Sequence, residues 1–301
     1  MAVLFFYIII FIISFIIVRH LIREQRFKNQ NYIKKETTIL ITGGCSGIGR
    51  ALINLFISLF NCKVINIDIL SSEFPSLKNL YKYNIININQ NISKIDNIIS
   101  FLEEKGINPN TIDIVINNAA IAKNLSLEQL PLNIMISTME INLLTPMKII
   151  KAFIDLKKNN NNISHNKIHF VTLCSVLSHI TSKNSSDYIS SKWGLYGFVE
   201  SVRTEYLYNN KYNFTTICPF AVNTGMFPNF LISLNTKYTA KEIIKSIVLK
   251  ESVKFIPDFI NIPIYLFKLV PSFLANLIHY FLINPFSKNM GRRTENDKLL
   301  K

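Results

Sequence analysis

The chain has 301 residues, of which 49% are hydrophobic, and its formal net charge is +14. The mean hydropathy of +0.25 is too low for a protein built from many membrane spans, each of which needs about 20 apolar residues. The basic residues are scattered among asparagine and isoleucine without zinc-finger spacing or a base-reading helix, which excludes nucleic acid as the expected partner and favours an anionic membrane surface.

The first predicted element is an uncharged apolar run over residues 1–18, just long enough for a spanning helix. A cluster of positive charge follows it at Arg19, Arg23, Arg26 and Lys28. Because no small-residue cleavage site ends the run, we expect an uncleaved membrane anchor over residues 1–28. The positive-inside rule then places the rest of the chain in the cytoplasm, and a shallow, monotopic insertion stays open as an alternative.

Behind the anchor, short apolar runs alternate with helical patterns. Strands are predicted at 38–42, 63–67, 85–88, 112–116, 168–172 and 214–218, and helices at 48–60, 95–104, 131–157 and 187–208. Strands separated by helices form parallel βαβ units. The predicted fold class is therefore α/β, with a single Rossmann-type, doubly wound parallel sheet over residues 36–256 behind an N-terminal membrane anchor helix.

The C-terminal segment, residues 257–301, is apolar at first and polar at its end. Four prolines, Pro257, Pro263, Pro271 and Pro285, interrupt the apolar stretch over residues 255–286 and argue against a straight span. Two short amphipathic helices at the membrane surface or over a substrate mouth are expected, with ordinary core helices as the alternative.

The four cysteines show no metal-ligand or redox spacing. Cys45, Cys62, Cys174 and Cys218 form no Cys-x-x-Cys pair, and all lie in or beside predicted core elements. Buried, reduced thiols are expected, and no metal site is predicted.

A glycine-rich segment follows the first strand, with the sequence Thr42-Gly43-Gly44-Cys45-Ser46-Gly47-Ile48-Gly49. Glycine is required where a turn is tight, where the backbone approaches a pyrophosphate and where a helix packs closely on a strand. The N-terminus of the following helix then faces the anion. In this strand–turn–helix context the pattern predicts a dinucleotide-binding turn.

An aspartate ends the second strand at Asp68, 19 residues after Gly49. A carboxylate at this place accepts hydrogen bonds from the adenosine ribose and repels a 2′-phosphate. No basic residue stands at Ile69 or in the glycine segment to favour that phosphate. The predicted cofactor is therefore NAD in preference to NADP.

A serine, a tyrosine and a lysine make up the predicted catalytic group. Ser175 follows a strand, Tyr188 opens a helix 13 residues later, and Lys192 lies one turn further on the same face. A phenol with an ordinary pKa of about 10 is a poor base at neutral pH, and a nearby ammonium favours the phenolate. We therefore expect Ser175 to hold the substrate oxygen while Tyr188 removes the hydroxyl proton.

With these residues the chain resembles the short-chain dehydrogenase/reductase superfamily over about residues 36–256. The motifs that carry the resemblance are the glycine segment, Asn117-Asn118-Ala119, Asn142, Ser175, Tyr188-x-x-x-Lys192 and Pro219. Residues 218–226 and 254–257, with the apolar termini, resemble membrane-bound 17-beta-hydroxysteroid dehydrogenases types 11 and 13 and related retinol dehydrogenases. Ala120 and Asn91 depart from the usual glycine and aspartate of the family.

The resemblance implies further residue roles. Asn142 becomes a fourth catalytic residue, which distorts a helix and holds a water that links Lys192 to a proton relay. Lys192 binds the nicotinamide ribose, Thr224 and the backbone near Val222 bind the carboxamide, and Asn118 lines the adenosine side. The residues expected to bind the cofactor are Gly43, Ser46, Gly47, Ile48, Gly49, Asp68, Asn91, Asn118, Ala119, Tyr188, Lys192, Pro219, Val222 and Thr224.

The expected function is hydride transfer between the cofactor and an apolar alcohol or ketone, such as a steroid or retinoid. A carbonyl reductase for a fatty acyl or sphingoid-type substrate is one alternative, and a non-catalytic lipid-droplet scaffold is another. The resemblance implies a location on the endoplasmic reticulum membrane or lipid droplets, with the enzyme domain facing the cytoplasm. It also implies a homodimer packed through the helix at 187–208, and residues 178–187 and 227–234 are expected to line the pocket.

Overall fold

The computed structural model describes residues 2–71, 84–159, 167–226 and 233–278. Its centre is a seven-stranded, wholly parallel sheet with the order β3-β2-β1-β4-β5-β6-β7, which confirms the predicted single doubly wound sheet. The strands are β1 Thr38–Thr42, β2 Lys63–Asp68, β3 Ile85–Asn89, β4 Ile114–Asn117, β5 Ile168–Leu173, β6 Tyr212–Pro219 and β7 Val253–Ile256.

Helices cover both faces of the sheet. The helices are α1 Ala2–Lys28, α2 Gly47–Phe60, α3 Ile98–Glu104, α4 Leu132–Met139, α5 Thr145–Asn159, α6 Ser186–Glu205, α7 Thr236–Leu249, α8 Asn261–Lys268 and α9 Ser272–Ile278. One buried cluster joins the sheet to α2 and α7, and a second joins it to α3, α5 and α6. The four cysteines are buried free thiols, as expected.

Two differences from the predicted elements have local causes. α3 begins at Ile98 rather than at 95, because the Asn97 side chain accepts hydrogen bonds from the backbone N–H groups of Ile99 and Ser100 and caps the helix. The helix predicted over residues 131–157 is divided by a π-helical turn, Glu140–Leu144, between α4 and α5. Neither α7 nor β7 was predicted, although α7 carries a regular apolar face.

The strand order places a crevice above the carboxyl ends of β1 and β4. The chain runs outward from β1 through β2 to β3 on one side and from β4 to β7 on the other. At such a switch point the two connections leave the sheet on opposite faces, and ligands of doubly wound folds bind there. The glycine segment follows β1, and Asn118 and Ala119 follow β4, so both predicted motifs lie at this crevice.

The C-terminal half of α1 is joined to the domain by a buried arginine. Arg23 donates from Nε to Glu251 Oε1 at 2.8 Å and from Nη1 to Glu242 Oε2 at 2.5 Å, and it is 6% exposed. Beside it, Lys245 binds Glu24. Arg23, one of the four basic residues that follow the predicted anchor run, is therefore buried and forms an ion pair with Glu242 of α7.

Most side chains of the apolar run at residues 1–18, the membrane part of the predicted anchor, lie outside the described ones. Within the described part of the chain, no helix has both the length and the apolarity required to cross a bilayer.

The two short helices expected near the C-terminus are present as α8 and α9. Ile264 of α8 packs into the core, whereas Leu269 is 80% exposed and Phe273 is 64% exposed. Arg19 of α1 lies 3.6 Å from Asp258, just before α8, so the end of α1 and the start of the C-terminal segment are neighbours. Residues 279–301, which include the rest of the predicted apolar stretch, lie outside the described residues.

Candidate active site

The glycine segment forms a tight connection between β1 and α2. Gly47 has φ +52°, a left-handed conformation that disfavours other residues. A Cβ on Gly49 would lie 2.2 Å from the Gly43 carbonyl oxygen, so this position admits no side chain. Ser46 is the N-cap of α2 but makes no side-chain capping hydrogen bond. The first N–H groups of α2, including that of Ile48, are therefore left for an anionic ligand.

Two side chains of β2 accept hydrogen bonds from the backbone of the glycine segment. The backbone N–H of Gly44 donates to Asn66 Oδ1 at 2.9 Å, and that of Cys45 donates to Asp68 Oδ2 at 2.8 Å. Asp68 Oδ1 accepts from Leu70 N, which fixes the carboxylate at the strand end. Asn66 was not predicted from the sequence, although an asparagine between the two apolar residues Ile65 and Ile67 of a strand is an unusual signal, and the structure buries it fully.

The segment after β4 holds the glycine turn from the other side. Asn118 donates from Nδ2 to the carbonyl oxygens of Thr42 and Gly43, and the N–H of Ala119 donates to Thr42 Oγ1. The amide of Asn118 is therefore occupied in shaping the turn beside the crevice. Ala120, which replaces the family's usual glycine, does not adopt a positive φ, so its methyl group causes no backbone strain.

The remaining predicted cofactor residues divide into two groups. Asn91 lies after β3 and uses its Oδ1 to accept from the N–H and the hydroxyl of Ser93, in a local cap. Pro219 ends β6, and Val222 and Thr224 follow it. The Thr224 methyl carbon lies 3.1 Å from the position of a Cβ on Gly47, so this segment reaches the glycine turn. Residues 227–232, part of the predicted pocket lining, lie outside the described residues.

Ser175 and Tyr188 meet at the carboxyl end of β5. Ser175 caps the short turn Val176–Ser178 by accepting from Leu177 N, and it also hydrogen-bonds the Tyr188 phenol. Burial raises the pKa of Tyr188 above its ordinary value, and the bond with Ser175 offsets part of the rise. This net direction differs from the expected lowering by a lysine.

Lys192 explains the difference. Its Nζ lies 5.8 Å from the centre of the Tyr188 ring and donates to the Leu173 carbonyl oxygen at 2.7 Å. The ammonium is therefore on the predicted face of α6 but is turned toward the end of β5. Burial lowers the pKa of Lys192, and its Nζ is paired with a carbonyl, whereas the interaction that lowers the pKa of Tyr188 is its hydrogen bond with Ser175.

Asn142 lies fully buried in the π-helical turn Glu140–Leu144. Its Oδ1 accepts from Ile121 N, and its Nδ2 donates to Ile121 O and to Ser191 Oγ. Ser191 in turn donates to the Tyr188 carbonyl at 2.7 Å. The helix distortion implied for Asn142 is present, and Ser191, which the sequence analysis missed, connects it to the tyrosine helix. Its position directly before Lys192 was the available signal.

A histidine joins this region to the C-terminal segment. His179 is buried beside β6, where its Nε2 lies 3.6 Å from Cys218 Sγ, and its Nδ1 accepts a hydrogen bond from Lys268 Nζ of α8 at 3.1 Å. Burial and the Lys268 charge lower the pKa of His179 to about 4, so the ring is neutral at physiological pH. This hydrogen bond attaches α8 to His179, which lies four residues after Ser175 in the chain.

The arrangement fits a dinucleotide and an alcohol or carbonyl group. Uncapped amides of α2 face a site for phosphates, and a fixed carboxylate at Asp68 stands at the ribose position. A phenol, a hydroxyl and an ammonium, from Tyr188, Ser175 and Lys192, converge at the other end of the crevice. Among the described residues, no cluster of histidine, cysteine or carboxylate side chains could hold a metal ion.

Comparison with known proteins agrees with this geometry. Residues 37–232 match the family model described as short chain dehydrogenase. The chain is 26% identical over 252 residues to short-chain dehydrogenase/reductase family 16C member 6 of Bos taurus, covering 79% of this chain and 78% of that protein. It is 25% identical over 256 residues to epidermal retinol dehydrogenase 2 of Mus musculus, covering 81% of each.

Solved structures share the fold at lower identity. A short chain dehydrogenase/reductase from Burkholderia phymatum in complex with NAD is 17% identical, with TM-score 0.62 over 76% of this chain and 92% of that one. A short chain dehydrogenase from Burkholderia cenocepacia in complex with NADP is 16% identical, with TM-score 0.61 over 74% and 89%. The chain thus belongs to the short-chain dehydrogenase family and is an NAD(P)-dependent oxidoreductase that acts on CH–OH groups.

Proposed function

We propose that this enzyme is membrane-associated and oxidises an apolar secondary or allylic alcohol, of the steroid or retinoid class, with NAD. The observation that carries the proposal is the convergence of Tyr188, Ser175 and Lys192 beside an exposed apolar segment, α8 and α9. The mouse relative at 25% identity is named as a retinol dehydrogenase, which supports a lipophilic substrate.

The catalytic residues act on one proton. The Ser175 hydroxyl binds the substrate oxygen, and Tyr188 accepts the hydroxyl proton as general base. The Lys192 charge, 5.8 Å from the centre of the Tyr188 ring, favours the phenolate without outweighing burial. Lys192 would also hold the ribose, and Asn142 would support the water that relays the proton onward. A bound nicotinamide would supply the acceptor for the hydride that leaves the alcohol carbon.

The preference for NAD rests on Asp68. Its carboxylate is fixed by the N–H groups of Cys45 and Leu70 and keeps lone pairs for ribose hydroxyls. A 2′-phosphate at this place would meet a fixed negative charge, and Ile69 offers it no cation. The other residues assigned to the cofactor are those of the glycine turn, Asn91, Asn118, Ala119, Pro219, Val222 and Thr224.

The decisive experiment is turnover by the purified full chain. With NAD and all-trans-retinol or a 17-beta-hydroxysteroid we expect NADH formation, and Tyr188→Phe should lower kcat/KM by about 10²–10⁴-fold, as loss of a general base does. NADH binding should stay nearly intact in that variant, and Tyr208→Phe, at a fully exposed tyrosine, is the matched control. Cofactor binding without turnover across a broad alcohol panel would favour the scaffold alternative.

A carbonyl reductase is the second candidate. Oxidation of NADPH or NADH with a fatty acyl or ketosphingoid substrate, faster than any alcohol oxidation, would favour it. The same purified protein and the same Tyr188→Phe variant serve for this measurement, because one tyrosine donates the proton in the reverse direction.

The membrane part of the proposal rests on the apolar run at residues 1–18 and on the exposed side chains of α8, α9 and the turn between them, including Leu266, Leu269 and Phe273. Endoplasmic reticulum or lipid-droplet placement, with the domain facing the cytoplasm, is expected. Deletion of residues 1–18 preserves Arg23 and its ion pairs, so imaging of a fluorescent fusion tests the anchor without removing them. An unchanged membrane distribution would count against it. Cross-linking tests the proposed homodimer through α6.

A further inference from the structure

Three buried polar side chains form one row across the sheet. Asn117, Thr172 and Thr216 stand at paired positions on β4, β5 and β6 and are 3%, 0% and 0% exposed. Within the described residues, Oδ1 and Nδ2 of Asn117 and Oγ1 of both threonines have no hydrogen-bond partner. Buried polar atoms without partners are rare, so four in one row require a common explanation.

Their neighbours define the face of the sheet on which they lie. In-register residues of parallel strands point to the same face. Two positions earlier on that face, Phe170 stacks on Phe214 within the core shared with α5 and α6. Two positions later are Cys174 and Cys218, which face the Lys192 ammonium. The row therefore lies between an aromatic layer and the buried end of Lys192, whose Nζ binds the carbonyl next to Thr172.

The spacing of the strands suits water. Neighbouring strands are about 4.8 Å apart, and opposed hydroxyl groups can hydrogen-bond directly across that distance, but none of these side chains bonds its in-register neighbour. A water between two in-register side chains spans this gap, and internal waters take two to four polar partners. We propose that Asn117, Thr172 and Thr216 form an internal water-binding site against the Lys192 end of β5.

Such a site favours the charged lysine. The titratable groups that face Lys192 are Tyr188 of its own helix, Cys174 after β5 and Cys218 of β6. Burial raises the pKa of Cys174 to about 12 and that of Cys218 also, so both thiols are neutral and supply no counter-charge. Water oriented by the threonine hydroxyls turns its oxygen toward the ammonium and stabilises it.

The first test is a crystal structure of the full chain with NADH, at a resolution that shows ordered water. We expect at least one water within hydrogen-bonding distance of two of the three side chains. A structure in which Asn117 bonds Thr172 directly, with no water between them, would overturn the proposal. This outcome does not depend on turnover, so it is decided even if the proposed alcohol oxidation fails.

The second test, which rests on the proposed function, is the pH profile of kcat/KM for alcohol oxidation. Thr172→Val and Thr216→Val keep the shape of the side chain and remove one hydrogen-bonding partner of the water. We expect each to raise the apparent pKa at which kcat/KM increases with pH by about one unit, which is a tenfold loss of kcat/KM at pH values below that pKa. Thr172→Ser should restore the profile. Thr239→Val is the control, because that buried hydroxyl donates to the carbonyl oxygen of Asn235, at the start of α7. Unchanged profiles in both valine variants would refute the link to Lys192.

Discussion

Replacement of Arg23 by alanine tests whether the end of α1 is part of the folded enzyme. The guanidinium makes hydrogen bonds to both carboxylate oxygens of Glu251, to Glu242 and to Ser246 Oγ, all within 3.4 Å. Removing one partner of a buried ion pair leaves the other charges unpaired and costs about 3–5 kcal/mol. At about 2–4 °C per kcal/mol, we expect Tm to fall by roughly 10 °C.

The assay is thermal and urea unfolding of the full chain in detergent, with Arg26→Ala as the matched control. Arg26 is on the same helix, carries the same charge and is exposed, so its replacement should change the free energy of unfolding by less than about 0.5 kcal/mol. Equal effects of the two substitutions would refute the reasoning, since the end of α1 would then contribute nothing to the stability of the domain.

The loss of stability at low pH gives a second test of Arg23→Ala. Burial raises the pKa of Glu242 and Glu251, but their bonds and charge interactions with Arg23, and with Lys245 for Glu242, outweigh burial and leave both pKa values below the ordinary one. Their stabilisation is therefore complete above the unfolded value of about 4.3 and is lost as pH falls through the lowered folded values. Arg23→Ala should flatten this acid-induced loss.

Three further predictions concern the cofactor turn and one buried histidine. Asn66→Leu removes the acceptor of Gly44 N and should raise the KM for NAD about tenfold, or 1.4 kcal/mol, whereas Asn66→Asp keeps an acceptor and should do so less; equal KM values would contradict this role. Asp68→Ser with Ile69→Arg should raise the NADP/NAD ratio of kcat/KM by about 10²-fold, and a ratio unmoved by both changes would argue against Asp68 as the discriminating group. Burial lowers the pKa of His169 to about 3, so the unfolded chain takes up a proton first and stability should fall by on the order of 4 kcal/mol from about pH 6.5 to 3; His169→Gln should remove that loss, and His20→Gln, at an exposed histidine, should not.

Local patterns in the sequence predict the sheet and most of the site. The glycine turn, Asp68 and the Tyr188–Lys192 spacing are each set by short-range requirements, and the structure brings them to one crevice. The direction of the Lys192 side chain was not predictable, because it depends on a carbonyl of β5 that the sequence does not display. The partners of Arg23 were hidden for a related reason, since Glu242 is 219 residues away and nothing local distinguishes Arg23 from Arg26.

That separation gives Arg23 a different role during synthesis. At 5–20 residues per second, the ribosome needs about 10–45 s after Arg23 to reach Glu242. Throughout that interval the guanidinium has no carboxylate from α7 to bind, so in the proposed membrane-anchored enzyme it would add to the positive charge that orients the nascent apolar helix. Once α7 and β7 are complete, the same arginine leaves the flank for the interior. Under the proposed membrane anchoring, the orientation of α1 would thus be decided before the ion pair forms, by a charge that is buried in the finished enzyme.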